Sequence, residues 1–471
     1  MHFASCEGTM LFFRGHKHHD ITRETSDFNY HQCSDEPAFF EGLFVAKDSE
    51  VSTFTEAIQK AVKNRHGKGK CGDSQWTAAR ESSRRASKLD EEGMEVAVCR
   101  HGFLLKALNM YRGEIFAYPL YLQKELMSAK PQFFAMDVAC KYWPYLEKAA
   151  SVLPALQELT KMKPFLSVMH ARAHATKCEI KWIGRNQEGA AGEEVEQVNS
   201  YLSRCPLTTK YMSKAARVDM LTLHALGWNH KKRASLHQAL STRYVKTCQR
   251  LLDETARLAE PKTELHCSDD EMTSQWISEV IEWAAGETPN APHTTDGTTQ
   301  SELQQSIVGL YLSIRQRKQS VYRQNDSSKF RHRLRRKLGE DKKLLLQEMQ
   351  RYNGLVPDSA AVDVAAVEST FTGGSTVSPL WPWEVHGSEN ITIKKRLYDQ
   401  VMLTMRLEEE KSILLLEMVQ HCTWLQKQAE ELKNKRAEND QGNEGLCSLL
   451  KNNCPSCWSS CKWSSNSTRL L

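Results

Sequence analysis

Over its first 258 residues the chain repeatedly sets apolar runs of strand length beside acids and helical repeats, a pattern that folds as a sheet covered by helices. MHFASCE (1–7) and TMLFFRG (9–15) are spaced to pair as a hairpin around Glu7-Gly8-Thr9. GMEVAVCRHG supplies a third strand, FFAMDVAC (133–140) a short buried one ending at an acid, and FLSVMH another. Between them, Val51, Phe54, Ile58 and Val62 have helical spacing, and YWPYLEKAASVLPALQELTK is helical with proline interruptions. Residues 63–93 are polar and glycine-bearing, a loop or insertion. Beyond Gly192 the repeat is helical, through Val195, Val198 and Leu202 and on to Leu240, Tyr244, Cys248 and Leu252.

The second half is expected to be mostly helical and partly disordered. Residues 259–300 have linker composition, 301–352 form a basic helical segment, and 353–392 are a flexible linker. Residues 393–438 place Leu415, Met418, Cys422, Leu425 and Leu432 on one stripe, which predicts a coiled-coil helix and self-association. Residues 439–471 read as a disordered tail.

Composition removes several classes. No window holds the ~18 consecutive apolar residues of a membrane-spanning helix, and the start lacks a basic n-region and small-residue cleavage site. Fourteen scattered cysteines suit a reducing compartment. Gly67-Lys68-Gly69-Lys70 lacks the full phosphate-loop pattern, so no nucleotide cofactor is expected. The formal charge of +5 is small for 471 residues; its distribution says more than its sum.

Acids stand at strand ends and helix starts: Glu7, Asp137, and Glu193 or Glu196. Ribonuclease-H-like nucleases and transposases gather three carboxylates from such places, because clustered hard oxygen ligands hold the divalent ions of phosphoryl transfer. Solvated or helix-capping carboxylates account for the same spacing, since a helix amino terminus favours anions.

MDVACKYWP, MHARAHATKCEIKW, AGEEVEQVNSYLSR and TTKYMSKAARVDMLTLHALGWN together resemble the Kyakuja-Dileera-Zisupton (KDZ) transposases, closest to the Zisupton branch. CGDSQWTAARE, LDEEGMEVAVCRHGFLLKALNMYRGEIFAYPL and RLRRKLGEDKKLLLQEMQRYNGLVPDS resemble that branch too, and the likeness runs in order through most of residues 1–436. It implies an α/β, ribonuclease-H-like mixed-sheet core, Mg²⁺- or Mn²⁺-dependent DNA cleavage and strand transfer, and a nuclear location. Asp137 matches the family's strand-end acid, with Cys140 trailing it, and Gly192, Glu193 and Glu196 match its Gly-Glu-x-x-Glu pattern. Glu7 stands where the family has Asp, Ala191 where many relatives carry an acid, and no cysteine-rich region precedes Glu7. A misplacement of about 1 Å costs ~10²-fold in rate, so a truncated or impaired copy is expected. The alternative is a non-catalytic DNA-binding or scaffolding remnant.

His170, His174 and Cys178 are spaced i, i+4, i+8, with Cys140 at the neighbouring strand end. They suit structural Zn²⁺, or a packed segment in which His is hydrogen-bonded and Cys acts as a small apolar residue. Cys454, Cys457 and Cys461 are read as chance spacing. Arg315, Arg317, Lys318, Lys329, Arg331, Arg333, Arg335, Arg336 and Lys337 form a dense basic block. It is expected to hold DNA phosphates without reading sequence, to direct nuclear import, or to form a solvated face.

Overall fold

A computed structural model describes residues 10–17, 37–62, 93–111, 113, 115–167, 171, 174–184, 194–209, 211–264, 270–285, 297–323, 328–372, 379, 381–384 and 391–438. The chain is mostly helical and carries a five-stranded mixed sheet: β1 (Met10–Lys17), β2 (Gly93–Val98), β3 (Leu104–Met110), β4 (Phe133–Met136) and β5 (Lys163–Phe165). The strand order is β3-β2-β1-β4-β5. β2 runs antiparallel to β1 and to β3, whereas β4 is parallel to β1 and to β5. β1 therefore lends one edge to β2, with Phe12 opposite Val98, and the other to β4, with Phe13 opposite Met136. The hairpin expected between 1–7 and 9–15 falls in part on residues 1–9, which lie outside the described residues.

Side-chain alternation sorts the sheet into two cores. From β4, Phe134 faces a cluster with α1 (Asp48–Ala61), α2 (Ala117–Glu125) and α3 (Ala139–Val152), through Ile58, Leu120 and Leu146. Phe133 and Ala135 face the other side, with Met94, Val96 and Val98 of β2. That side is covered by α5 (Glu194–Leu202), through Val195, Val198 and Leu202, and by α6 (Lys214–Ala234), through Leu221 and Ala225. Phe134, Leu120 and Leu146 have no exposed surface, and burying a side chain of that size contributes about 1.5–3 kcal/mol. The result is three layers, helix–sheet–helix, with β2 and β4 buried on both faces.

α4 (Thr176–Trp182) follows β5 at the sheet's edge, where Leu166 bridges Ile183. Beyond α6 come α7 (Leu236–Glu264), α8 (Asp270–Ala285), α9 (Gly297–Arg323), α10 (Ser328–Asn353), α11 (Val364–Thr372) and α12 (Ile391–Glu438). Here the structure departs from the sequence expectations. Within the expected 259–300 linker, α8 buries Trp276, Val280 and Ala284, spaced by four, against α4 and α12. Within the expected 353–392 linker, Val362, Val367, Phe371 and Trp381 are buried in the core between α9 and α10. The acids and small polar residues around these anchors give a linker composition without preventing packing.

α12 packs along α7. Gln400 bonds to Glu254, and Arg243 to Glu410, so the two helices run antiparallel. The apolar stripe expected to serve self-association thus begins on a helix already paired within its own chain. No helix among the described residues is long and apolar enough to cross a membrane. Residues 439–471 lie outside the described residues.

Candidate active site and metal centre

β4 ends at Met136, and Asp137 occupies the turn into α3, half-buried. Strand carboxyl ends are where open α/β sheets gather functional groups, because the turn frees side chains from the packed layers. Cys140 follows in the first turn of α3. His174 precedes α4 and is 2% exposed; Cys178 lies within α4.

Cys140, His174 and Cys178 converge, their ligand atoms all within 4.8 Å of one another. His174 Nδ1 is 3.5 Å from Cys140 Sγ and 3.5 Å from Cys178 Sγ. Its Nε2 lies 3.0 Å from the main-chain carbonyl oxygen of Asp137. A carbonyl only accepts, so Nε2 carries the proton and donates, which leaves the Nδ1 lone pair facing the two sulfurs. One lone pair accepts one thiol proton well, yet two thiols stand at the same distance. Tetrahedral zinc, with Zn–N of about 2.0–2.1 Å and Zn–S of about 2.3 Å, separates N from S by roughly 3.5 Å. The donor set and spacing therefore fit a soft divalent ion, with the Asp137 carbonyl orienting the imidazole from behind. His170 lies outside the described residues.

The second half of the chain holds this corner in place. Arg317 of α9, 1% exposed, donates to the main-chain oxygen of His174 at 3.0 Å and pairs with Asp341 of α10, also 1% exposed. Thr176 N donates to Ser313 Oγ at 3.2 Å, and the two hydroxyls lie 2.8 Å apart. These supports come from 137 and 143 residues away, so no local spacing signals them.

Glu196 lies in the first turn of α5, half-buried; Glu7 and Glu193 fall outside the described residues. Neighbouring Glu194 enters a charge network. Arg243 binds Glu194 at 3.1 Å and Glu410 at 2.7 Å, while Arg100 reaches Glu410 at 2.9 Å and Glu417 at 3.2 Å. Burial works against the Arg243 charge, but Glu410, Glu194 and Glu417 outweigh it and hold its pKa above the usual guanidinium value. Burial raises Glu417, but the His101 hydrogen bond and the charges of Arg100, His101 and Arg243 carry it below the usual carboxylate value. Burial, with His237 and His101 nearby, lowers His421 to about 4.

This network, with a Lys232–Gln197 bond at 3.1 Å, anchors the first turn of α5 to the β2–β3 turn. In that turn Gly102 has φ +80° and accepts from Trp228 Nε1 at 2.7 Å. The β2–β3 turn lies toward the amino end of β1, whereas Asp137 follows the carboxyl end of β4, so the two anchors lie toward opposite ends of the sheet. Among the described residues, the group of three potential ligands within mutual reach is the Cys–His–Cys set.

The basic block is unevenly available. Arg317 is buried in its ion pair and is not part of a solvent face. Arg315 stacks over Tyr311 at 5.8 Å, and Lys318 donates to the carbonyl of Phe371. Lys337 lies 3.7 Å from Glu340 and 3.5 Å from Asp341, and Arg336 lies 3.7 Å from Glu340. Arg335 is exposed and Arg331 half-buried; Lys329 and Arg333 lie in α10 without described side chains.

Most of the sheet, the acid closing β4 and most of the helices over β2 lie within a stretch that matches a transposase family. Residues 14–229, just under half of the chain, match the model of the Kyakuja-Dileera-Zisupton transposase family, and this stretch is what resembles KDZ transposases. Asp137, Cys140, His174, Cys178 and Glu196 fall inside the matched stretch; Glu7 and the 315–337 block fall outside it. Comparison with curated proteins and with solved structures gave no match.

Proposed function

We propose that this chain is a KDZ transposase-derived DNA-processing protein of the Zisupton branch, with a ribonuclease-H-like core and a nuclear site of action. The carrying observation is the strand order β3-β2-β1-β4-β5, with only β2 reversed and an acid directly after β4. Asp137, with Glu7 and Glu193 or Glu196, would hold Mg²⁺ or Mn²⁺ through hard carboxylate oxygens. Such ions, when bound, activate the attacking hydroxyl and steady the departing oxygen of a phosphodiester.

The chain's own contribution is positioning. His174 fixes the Asp137 main chain by a 3.0 Å hydrogen bond, and zinc on Cys140, His174 and Cys178 would make that bond rigid. The outward side of α12, where Leu416 and Val419 are exposed, is the surface left for self-association.

The test is Mn²⁺-dependent nicking of labelled duplex DNA by the whole chain, beside Asp137→Asn, Glu196→Gln and Glu7→Asp. The expected result is nicking by the parent or by Glu7→Asp, lost on adding Asp137→Asn. Undiminished nicking after Asp137→Asn overturns the reading.

A further inference from the structure

From Arg204 to Arg250 the sequence holds ten Lys and Arg residues and a single acid, Asp219, so this stretch alone exceeds the whole chain's +5 and the remainder is net negative. Asp219 offsets only one of these charges, and its carboxylate is turned to the main-chain N–H groups of Phe39 at 3.1 Å and Phe40 at 2.8 Å. Some of the ten cations serve the fold: Arg217 donates to Asn109, Arg243 joins the glutamate network, and Lys232 lies over the Trp228 ring. Lys231 and Arg233 at the end of α6, and Lys246 on α7, are exposed and have no acidic partner among the described residues. Arg250, one turn beyond Lys246, shares Glu254 with Arg257 and is exposed.

We propose that Lys231, Arg233, Lys246 and Arg250 form the principal surface for the phosphates of duplex DNA, in preference to the denser 315–337 block. The choice of DNA as occupant rests on the transposase reading; the choice of surface rests on which cations the fold leaves in water. In the 315–337 block, a buried ion pair, a carbonyl and nearby acids engage several charges. On α6 and α7, Lys231, Arg233 and Lys246 are exposed without an acidic partner among the described residues, and Arg250 shares one carboxylate, Glu254, with Arg257. A polyanion gains most where cations need not leave existing partners, since its affinity comes from released counterions. Such a surface holds the backbone and reads no bases.

The test measures fluorescence anisotropy of a labelled DNA duplex with the full chain in EDTA, over a salt series, so that catalysis plays no part. Three variants are compared with the parent: Lys231→Ala/Arg233→Ala/Lys246→Ala/Arg250→Ala, Arg331→Ala/Arg335→Ala/Arg336→Ala, and the charge-retaining Lys231→Arg/Arg233→Lys/Lys246→Arg/Arg250→Lys. Each lost phosphate contact lowers the slope of log Kobs against log salt by about 0.9. The quadruple alanine variant should therefore lose about 3–4 units of slope, with an unchanged circular-dichroism melt. The charge-retaining variant should keep the parent's slope, and the α10 triple variant most of it. An unchanged slope in the quadruple alanine variant, or an equal loss in the charge-retaining one, overturns the proposal. So does a slope loss confined to an RNA duplex run in parallel, which would make RNA the partner. Absence of nicking with the slope loss intact would sink the catalytic reading and leave this surface standing.

Discussion

Replacing Asp341 by Ala should be among the most damaging single changes outside the sheet. Arg317 and Asp341 are each 1% exposed, and Arg317 also donates to the His174 carbonyl at 3.0 Å. Removing the carboxylate leaves a guanidinium out of water with Lys337 close to the same acid's position. Breaking a buried pair from one side costs about 3–5 kcal/mol. With a urea dependence of ~1–3 kcal/mol per molar, the midpoint should fall by roughly 1–5 M. Tryptophan fluorescence follows this region directly, because Trp381 packs on Tyr311 of α9 with ring centroids 5.5 Å apart. Arg317→Met/Asp341→Leu, which removes both charges and keeps apolar volume, should recover most of the loss, since buried pairs are often neutral to such replacement. A shift in Asp341→Ala equivalent to under about 1 kcal/mol would refute the reasoning. A double variant as unstable as the single would refute it equally, by showing that burial of the charge is not what matters.

Two further outcomes follow from the geometry. Purified chain should carry about one zinc per molecule by elemental analysis, and Cys178→Ser or His174→Ala should remove it; equal zinc in all three would dismiss the Cys–His–Cys centre. Glu384 is raised to about 7, chiefly by burial, so the folded state binds a proton more tightly than the unfolded one. Its contribution to stability is present below the ordinary carboxylate value of 4.5 and is lost as pH rises to about 7. Glu384→Gln should therefore melt higher than the parent above pH 7 and gain nothing below pH 4.5; a pH-independent difference would rule this out.

The parts of the fold that sequence makes visible are those whose apolar runs stand alone. GMEVAV and FFAM are bounded by polar residues and became β2 and β4. β3 is concealed because LLKALNM merges into the long apolar stretch that also builds α2. Residues 270–285 were hidden for the opposite reason: Asp269, Asp270 and Glu271 dominate the composition, while three anchors spaced by four do the packing. Cys140, His174 and Cys178 are legible in the sequence as a candidate ligand set, and the fold brings them together. The i, i+4 spacing of His174 and Cys178 is not carried by one helix: His174 stands outside α4, and its ring is held by the Asp137 carbonyl. The basic block shows the limit of counting charge, since sequence density does not distinguish Arg317, inside an ion pair, from Arg335, in water.

The charge network at the β2–β3 turn also bears on how the chain is made. Arg100 emerges from the ribosome 310 residues before Glu410, its partner on α12. At about 5–20 residues per second, that interval lasts roughly 15–60 s. During it Arg100 stands in the turn without Glu410 and Glu417, and Arg243 of α7, once made, has Glu194 alone of its partners. The amino-terminal sheet thus reaches its final electrostatic state only after synthesis is nearly complete. A premature stop between Arg100 and Glu410 would act on the opposite end of the chain from the one it removes.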